Sequence, residues 1–268
     1  MKTLTAKEAQ KKLRTLADPA LAASATRFFK TGPGEYGEND VFIGLRAATL
    51  RQLAKDFQKL ALEEAKELIQ SNVHEDRALA LLILVRTVAR APDSVRKQVY
   101  DLYLANTRFV NNWDLVDVSA PAVVGGYLAD KSRKPLSTLA KSKSLWERRI
   151  AIVATQHFIR LSDFGDTLNI AAMMLGDEED LVHKAVGWML REVGKRDVPA
   201  LEGFLGEYYQ RMPRTMLRYA IERFPINQRK AYLKGGATNA YKPTQPTTRP
   251  HSRRRRKEPA QDDLATGP

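Results

Sequence analysis

The sequence predicts an all-α fold, a curved solenoid of stacked helical pairs, and three observations carry that expectation. Almost every segment up to Leu233 sets apolar residues three and four apart, the spacing of a helix that buries one face. No alternating strand pattern of useful length appears. The helical pattern also recurs: Arg77, Trp113, Arg149 and Ala185 are each 36 residues from the next (113 − 77, 149 − 113, 185 − 149), and each opens a similar amphipathic helix.

The repeat extends to whole columns. Leu79, Leu115, Ala151 and Gly187 come two positions later, Ala80, Val116, Ile152 and Trp188 one further on, and a shortened fifth copy fits TMLRYAIERF. A helical pair of this length lies near the TPR and HEAT-type arrays, whose concave face is formed by one helix of each pair.

Taken in order, MKTLTAKEAQKKL lacks the apolar stretch of an export signal and reads as the start of an amphipathic helix. Asp18-Pro19 is a helix start. Gly32-Pro33-Gly34-Glu35-Tyr36-Gly37 matches the dinucleotide-binding fingerprint letter for letter, yet a helix precedes it and proline removes one amide, so it reads as a loop. Helices follow over 74–90, 144–161 and 180–195, with Ala91-Pro92-Asp93-Ser94, Asp197-Val198-Pro199 and Met212-Pro213 supplying N-caps or first-turn prolines. Past Lys234 the chain turns to Gly, Pro, Thr and charge, so residues 1–234 are expected to form the folded domain and 235–268 a disordered basic tail carrying Arg253 to Lys257.

Charge and composition narrow the function. The chain of 268 residues carries a formal net charge of +13, of which residues 235–268 hold only +4 (seven Lys or Arg against three acids), so the folded body is itself basic and suits a polyanion such as nucleic acid. With no cysteine there is no disulfide, thiolate nucleophile or cysteine metal site. His74, His157, His183 and His251 show no metal-ligand spacing and read as surface or capping imidazoles. No segment is apolar enough to span a membrane. A cytoplasmic protein without metal or cofactor is expected.

The tryptophans are the candidates for a site. Trp113 is followed at i+4 by Asp117, Trp146 at i+3 by Arg149, and Trp188 at i+3 and i+4 by Arg191 and Glu192, each pair on one helix face. Packing explains any one of them. Together they make a concave basic surface with two aromatic faces, one carboxylate and an arginine, which suits a flat cationic ligand on a polyanion.

These segments, WDLVD at Trp113–Asp117, WERRIAI at Trp146–Ile152 and KAVGWMLREVGK at Lys184–Lys195, resemble the AlkD-type DNA alkylation repair glycosylases, built from HEAT-like repeats, over roughly residues 20–230. The resemblance implies Asp117 as the catalytic aspartate, Trp113 and Trp188 as the tryptophans that contact the lesion nucleotide, and Arg149 as a contact to the DNA backbone. Phe28 and Arg46 depart from it, standing where some relatives have tyrosine and glutamine. Arg148, Lys184, Arg191 and Lys195 are further candidates for phosphate contacts. The resemblance also implies a lesion that stays largely stacked rather than flipped.

The chemistry is self-consistent. An N3- or N7-alkylated purine is already cationic, so it leaves without a general acid. The enzyme must stabilise positive charge on the deoxyribose and orient a water, both within reach of an ionised aspartate. A monofunctional, monomeric glycosylase acting on alkylated duplex DNA is the leading expectation. A noncatalytic HEAT-repeat nucleic-acid binder and a peptide-binding scaffold are the alternatives.

Overall fold

The structure, a computed structural model, describes residues 4–236. Helix α1 (Ala6–Thr15) starts from a capping box in which Thr5 and Glu8 each accept the other's amide. Helix α2 (Pro19–Phe28) starts from Asp18, whose carboxylate accepts from the amides of Ala20 and Leu21. A loop over 29–46 leads to α3 (Ala47–Asp56), α4 (Leu62–Ile69), α5 (His74–Val88) and α6 (Asp93–Ala105). Beyond a 3-10 turn at Thr107–Phe109 come α7 (Trp113–Ala120), a π-helical turn at Pro121–Gly125, a second 3-10 turn at Leu128–Asp130, then α8 (Lys134–Leu139), α9 (Leu145–Ala154), α10 (Gln156–Arg160) and α11 (Gly165–Met173). The described chain finishes with α12 (Asp180–Gly194), α13 (Val198–Tyr208), α14 (Arg214–Ala220) and α15 (Ile226–Leu233).

Helices α3, α5, α7, α9, α12 and α14 pack each on the next in one row, and α4, α6, α8, α11 and α13 pack against that row. The fold is thus an all-α helical-repeat solenoid, with a single buried apolar cluster reaching from Ala6 to Ile221. The repeat columns explain the row. Leu79, Leu115, Ala151 and Gly187 are all buried, as are Ala80, Val116 and Ile152, while Trp188 is half-buried. Gly187 is required where it stands: a Cβ there would lie 2.5 Å from the Met216 carbonyl oxygen and 2.5 Å from Tyr219 Cβ, so only glycine lets α12 and α14 approach this closely.

A polar grammar repeats as well. Ser71, Ser142 and Asp177 each accept, through the side chain, the amide two residues on (Val73, Ser144, Glu179), and each presents its carbonyl to a side chain six residues on (Arg77, Arg148, His183). The bond to the carbonyl pins each turn to the first turns of the helix that follows it.

Three expectations need correction. Trp113 alone opens its helix; Arg77, Arg149 and Ala185 stand three (77 − 74), four (149 − 145) and five (185 − 180) residues inside theirs, because α5, α9 and α12 begin earlier in the repeat. The single helix expected over 144–161 is divided at Thr155, whose hydroxyl donates to the Ile152 carbonyl at 2.7 Å and competes with the helical pattern. Pro92 and Pro213 occupy the N-cap itself, where no side chain caps the helix. The tail lies outside the described residues except for Gly235 and Gly236.

Candidate active site

The site is built on the first turn of α7. Asn112 ends the extended approach and accepts the Trp113 amide at 2.8 Å, so the helix starts on the tryptophan and Asp117 follows one turn later on the same face. Pro121, lacking an amide hydrogen, cannot donate to the Asp117 carbonyl, and the helix widens into its π-helical turn there.

Trp113 and Asp117 face a cleft of about 720 Å³. The end of α2 and its loop form one wall with Phe28, Lys30 and Tyr36. Arg149 of α9 forms the floor beside Asp117. Helix α12 forms the opposite wall with Leu181, Lys184, Trp188 and Arg191, and Tyr219 of α14 closes that end. Residues of α2 and its loop thus share one cavity with residues of α7, α9, α12 and α14 in the repeat row.

Asp117 and Arg149 make a two-pronged pair: Arg149 Nε donates to Asp117 Oδ1 at 3.0 Å and Nη2 to Oδ2 at 2.8 Å. The third arm of the guanidinium donates to the Leu181 carbonyl in the first turn of α12. The arginine side chain is 6% exposed and the carboxylate 20%, so the aspartate is the member that reaches the cleft. Burial pushes the Asp117 carboxyl above the ordinary aspartate range, Arg149 pulls it partly back through charge and hydrogen bonding, and Asp114 raises it further.

The two tryptophans are held differently. Trp113 donates Nε1–H to the Tyr36 hydroxyl at 3.3 Å and stacks on Phe29 with centroids 5.4 Å apart. Trp188 donates Nε1–H to Glu192 Oε1 at 3.2 Å. Trp146 lies outside the cleft lining, with Tyr36 edge-on to it at 6.2 Å.

The cations divide into two groups. Lys184 lines the cleft, paired with Asp180 at 2.7 Å, and Arg191 lines it through an ion pair to Glu222. Arg148 serves the fold instead. Its Nε donates to Asp177 at 2.6 Å and its Nη1 to the carbonyls of Ser142 and Lys143, so it fastens two turns and does not line the cleft. Arg149 lines the cleft floor with all three of its nitrogens engaged, by Asp117 and the Leu181 carbonyl. Lys195 is taken up by Glu192 at 2.6 Å. Phe28 is 63% exposed at the mouth, where an aromatic face can meet a ligand, and Arg46 is an exposed N-cap of α3 away from the lining.

Tyr36, Lys30 and Tyr219 were not reachable from the sequence, because they come from a loop and from a helix of a different repeat. The one signal was the glycine-rich loop itself, which does prove to be a loop and delivers Tyr36. His74 corrects the expectation of surface or capping imidazoles: it is buried, with Nδ1 3.0 Å from Asp40 Oδ2 and Nε2 2.9 Å from Asp114 Oδ2. His251 lies outside the described residues, and among those residues no cluster of three or more His, Asp or Glu is arranged to hold a metal ion. Nor is any of their helices long and apolar enough to cross a membrane.

Comparison with known proteins bears on the family and the fold. Residues 9–224 match the family described as DNA alkylation repair enzyme. A solved protein from Enterococcus faecalis, named a predicted DNA alkylation repair enzyme, superposes with a TM-score of 0.60 at 18% identity, covering 78% of this chain and 97% of its own. At that identity the likeness speaks for the fold. No protein of curated function matches the sequence. The family match spans most of the repeat row and every residue of the cleft, and the chain belongs to the DNA alkylation repair enzyme family.

Proposed function

We propose that the chain is a monofunctional DNA glycosylase that hydrolyses the N-glycosidic bond of cationic N3- and N7-alkylpurines in duplex DNA, working as a monomer in base excision repair. The observation that carries this reading is Asp117: a carboxylate held rigidly by Arg149, 20% exposed, in an aromatic-lined cleft of a basic protein. A surface made only to grip phosphates has no use for an anion there, and a scaffold for peptides has no use for the basic excess.

The C1′–N bond breaks with its electron pair going to the alkylpurine, which leaves neutral. Asp117 stabilises the positive charge left on the sugar and orients the water whose oxygen bonds to C1′, and the water's proton passes to the carboxylate or on to solvent. Trp113 and Trp188 attract the cationic base through their faces, worth roughly 0.5–2 kcal/mol each. Two lysines line the cleft, Lys30 and Lys184; Asp180 raises the pKa of Lys184, and an ammonium ion so held is not the neutral amine that a Schiff-base lyase needs. Lys184 and Arg191 can exchange their carboxylate partners for DNA phosphates; Arg148 fastens turns of the fold, and Arg149 holds Asp117 at the floor of the cleft.

The test is release of 7-methylguanine and 3-methyladenine from methylated duplex by the wild type and by Asp117→Asn, with duplex binding measured in parallel. Release that is lost in the variant while binding survives is the expected result. Binding without release in either protein would overturn the glycosylase reading in favour of a noncatalytic binder.

A further inference from the structure

The first turn of α5, His74-Glu75-Asp76-Arg77, is four consecutive charged or titratable residues, all buried. Each has defined partners. Glu75 accepts the amides of Ile43, Gly44 and Leu45; Asp76 accepts from Arg14, Gln10 and Ser71; Arg77 donates to Asp40 at 2.6 Å and to the Ser71 carbonyl. Glu75 and Arg77 thereby hold the loop over 29–46 against α5. His74 does more, because it joins that loop to the helix carrying Asp117.

Both imidazole nitrogens face a carboxylate oxygen, Asp40 on one side and Asp114 on the other. A neutral ring would turn a lone pair toward one of them; only the doubly protonated ring donates to both. The ring stacks on Phe42 at 4.4 Å and lies 5.1 Å from Phe29, which stacks on both Phe42 and the Trp113 ring. Two routes therefore run from this imidazole to Trp113, one through Asp114, the next residue along the chain, and one through Phe29. Asp114 Oδ1 is buried without a hydrogen-bond partner, which leaves the His74 bond to fix that carboxylate.

We infer that His74 is a positioning residue of the cleft: as an imidazolium it clamps Asp40 of the loop to Asp114 of α7, and so sets where Trp113 and Tyr36 stand against the nucleotide. The inference rests on the glycosylase reading for its effect on rate, though not for the clamp itself. The charged groups around the ring are Asp40 from the loop, Asp114 from α7, and Glu75 and Arg77 from its own helix, while Arg14 of α1 is held off by Asp76. Burial alone would lower the His74 pKa, but the bonds to Asp114 and Asp40 raise it to about 9. The clamp therefore opens on the alkaline side.

The test is the pH profile of single-turnover base release by the wild type, His74→Gln and Asp114→Asn, together with NMR titration of the His74 imidazole and of the Trp113 indole Nε1–H. Wild-type release should fall as pH rises through about 9. In Asp114→Asn, which keeps the imidazole and a carbonyl acceptor but removes the negative charge, that limb should move toward neutral pH by about one unit. His74→Gln, if it folds, should be slow at every pH and lack the limb. A merely structural histidine would lower stability and leave the position of the limb unchanged in Asp114→Asn, and that result would overturn the inference. Should the wild type release no base, the glycosylase reading falls, and the clamp is then decided by the indole resonance. It must move in step with the imidazole titration; an indole indifferent to that titration refutes the clamp.

Discussion

Replacing Arg149 by alanine should both destabilise the fold and disable Asp117, and the two effects are separable by pH. The substitution removes both prongs of the pair and the donor to the Leu181 carbonyl, leaving a carboxylate whose side chain is only 20% exposed. Breaking a buried pair from one side costs about 3–5 kcal/mol; because Asp117 can recover some water from the cleft, the lower end, about 3 kcal/mol, is expected. For a chain of this size that is a fall in Tm of roughly 6–12 °C. The sign with pH follows from the residue that remains. Arg149 is what lowers the Asp117 pKa against burial, so without it the folded-state value rises further above the unfolded one. The folded variant then binds a proton more readily than the unfolded chain, and the penalty is full at high pH and shrinks as pH falls through the new value. Denaturant melts of wild type, Arg149→Ala, Asp117→Asn and the double variant at pH 8 and pH 5 measure this as a double-mutant cycle. Coupling on the order of 2–3 kcal/mol at pH 8, smaller at pH 5, is the expected outcome. The acid limb of base release should move to higher pH in Arg149→Ala, and Arg149→Lys, which keeps charge without the fork, should recover only part of the loss. Coupling below about 0.5 kcal/mol at both pH values would refute the claim that this pair holds the carboxylate in place.

Two further predictions concern the walls of the cleft. Trp188→Ala should slow release of cationic bases by about 2- to 30-fold, from the roughly 0.5–2 kcal/mol of a cation–π contact, with Trp188→Phe intermediate; equal rates for all three would remove Trp188 from the site. Gly187→Ala should destabilise by about 1–3 kcal/mol, because its Cβ meets the backbone of α14 at 2.5 Å rather than the tip of a flexible side chain, and a melt unchanged from wild type would mean that the two helices can part freely.

What could be read from the sequence is what one helix or one period contains. The columns Leu79/Leu115/Ala151/Gly187 lie on a buried face whatever the neighbours are, so spacing alone exposes them. Trp113 and Asp117 share a face because they are four apart on one helix. The partners of charged side chains were not readable, since Arg148 and Arg149 are adjacent in sequence yet one serves Asp177 and the other Asp117. Which arginine turns toward the cleft depends on the angle between α9 and its two neighbours, and no local pattern encodes that. His74 was hidden for the same reason: its carboxylates lie 34 and 40 residues away, on a loop and on a different repeat.

The site falls where the repeat is broken. Helix α7 begins 39 residues after α5 (113 − 74), and α9 begins only 32 after α7 (145 − 113), so in a regular 36-residue array α7 starts about three residues late. The missing turn is taken up by the 3-10 turn Thr107–Phe109 and the extended step to Asn112. The late start has a chemical consequence. In α5, α9 and α12 the position equivalent to Trp113 lies inside the helix, as Arg77, Arg149 and Ala185, where a large ring would have to pack against the adjoining helices. Shortening α7 places Trp113 at its first residue, half-exposed, where Tyr36 and Phe29 can reach its ring and Asp114 can reach His74. Asp117 stays deep enough for Arg149 of the next repeat to grip it. A solenoid of identical repeats offers many equivalent grooves and no distinguished one; one late helix start makes a single groove into a cleft with a carboxylate at its base.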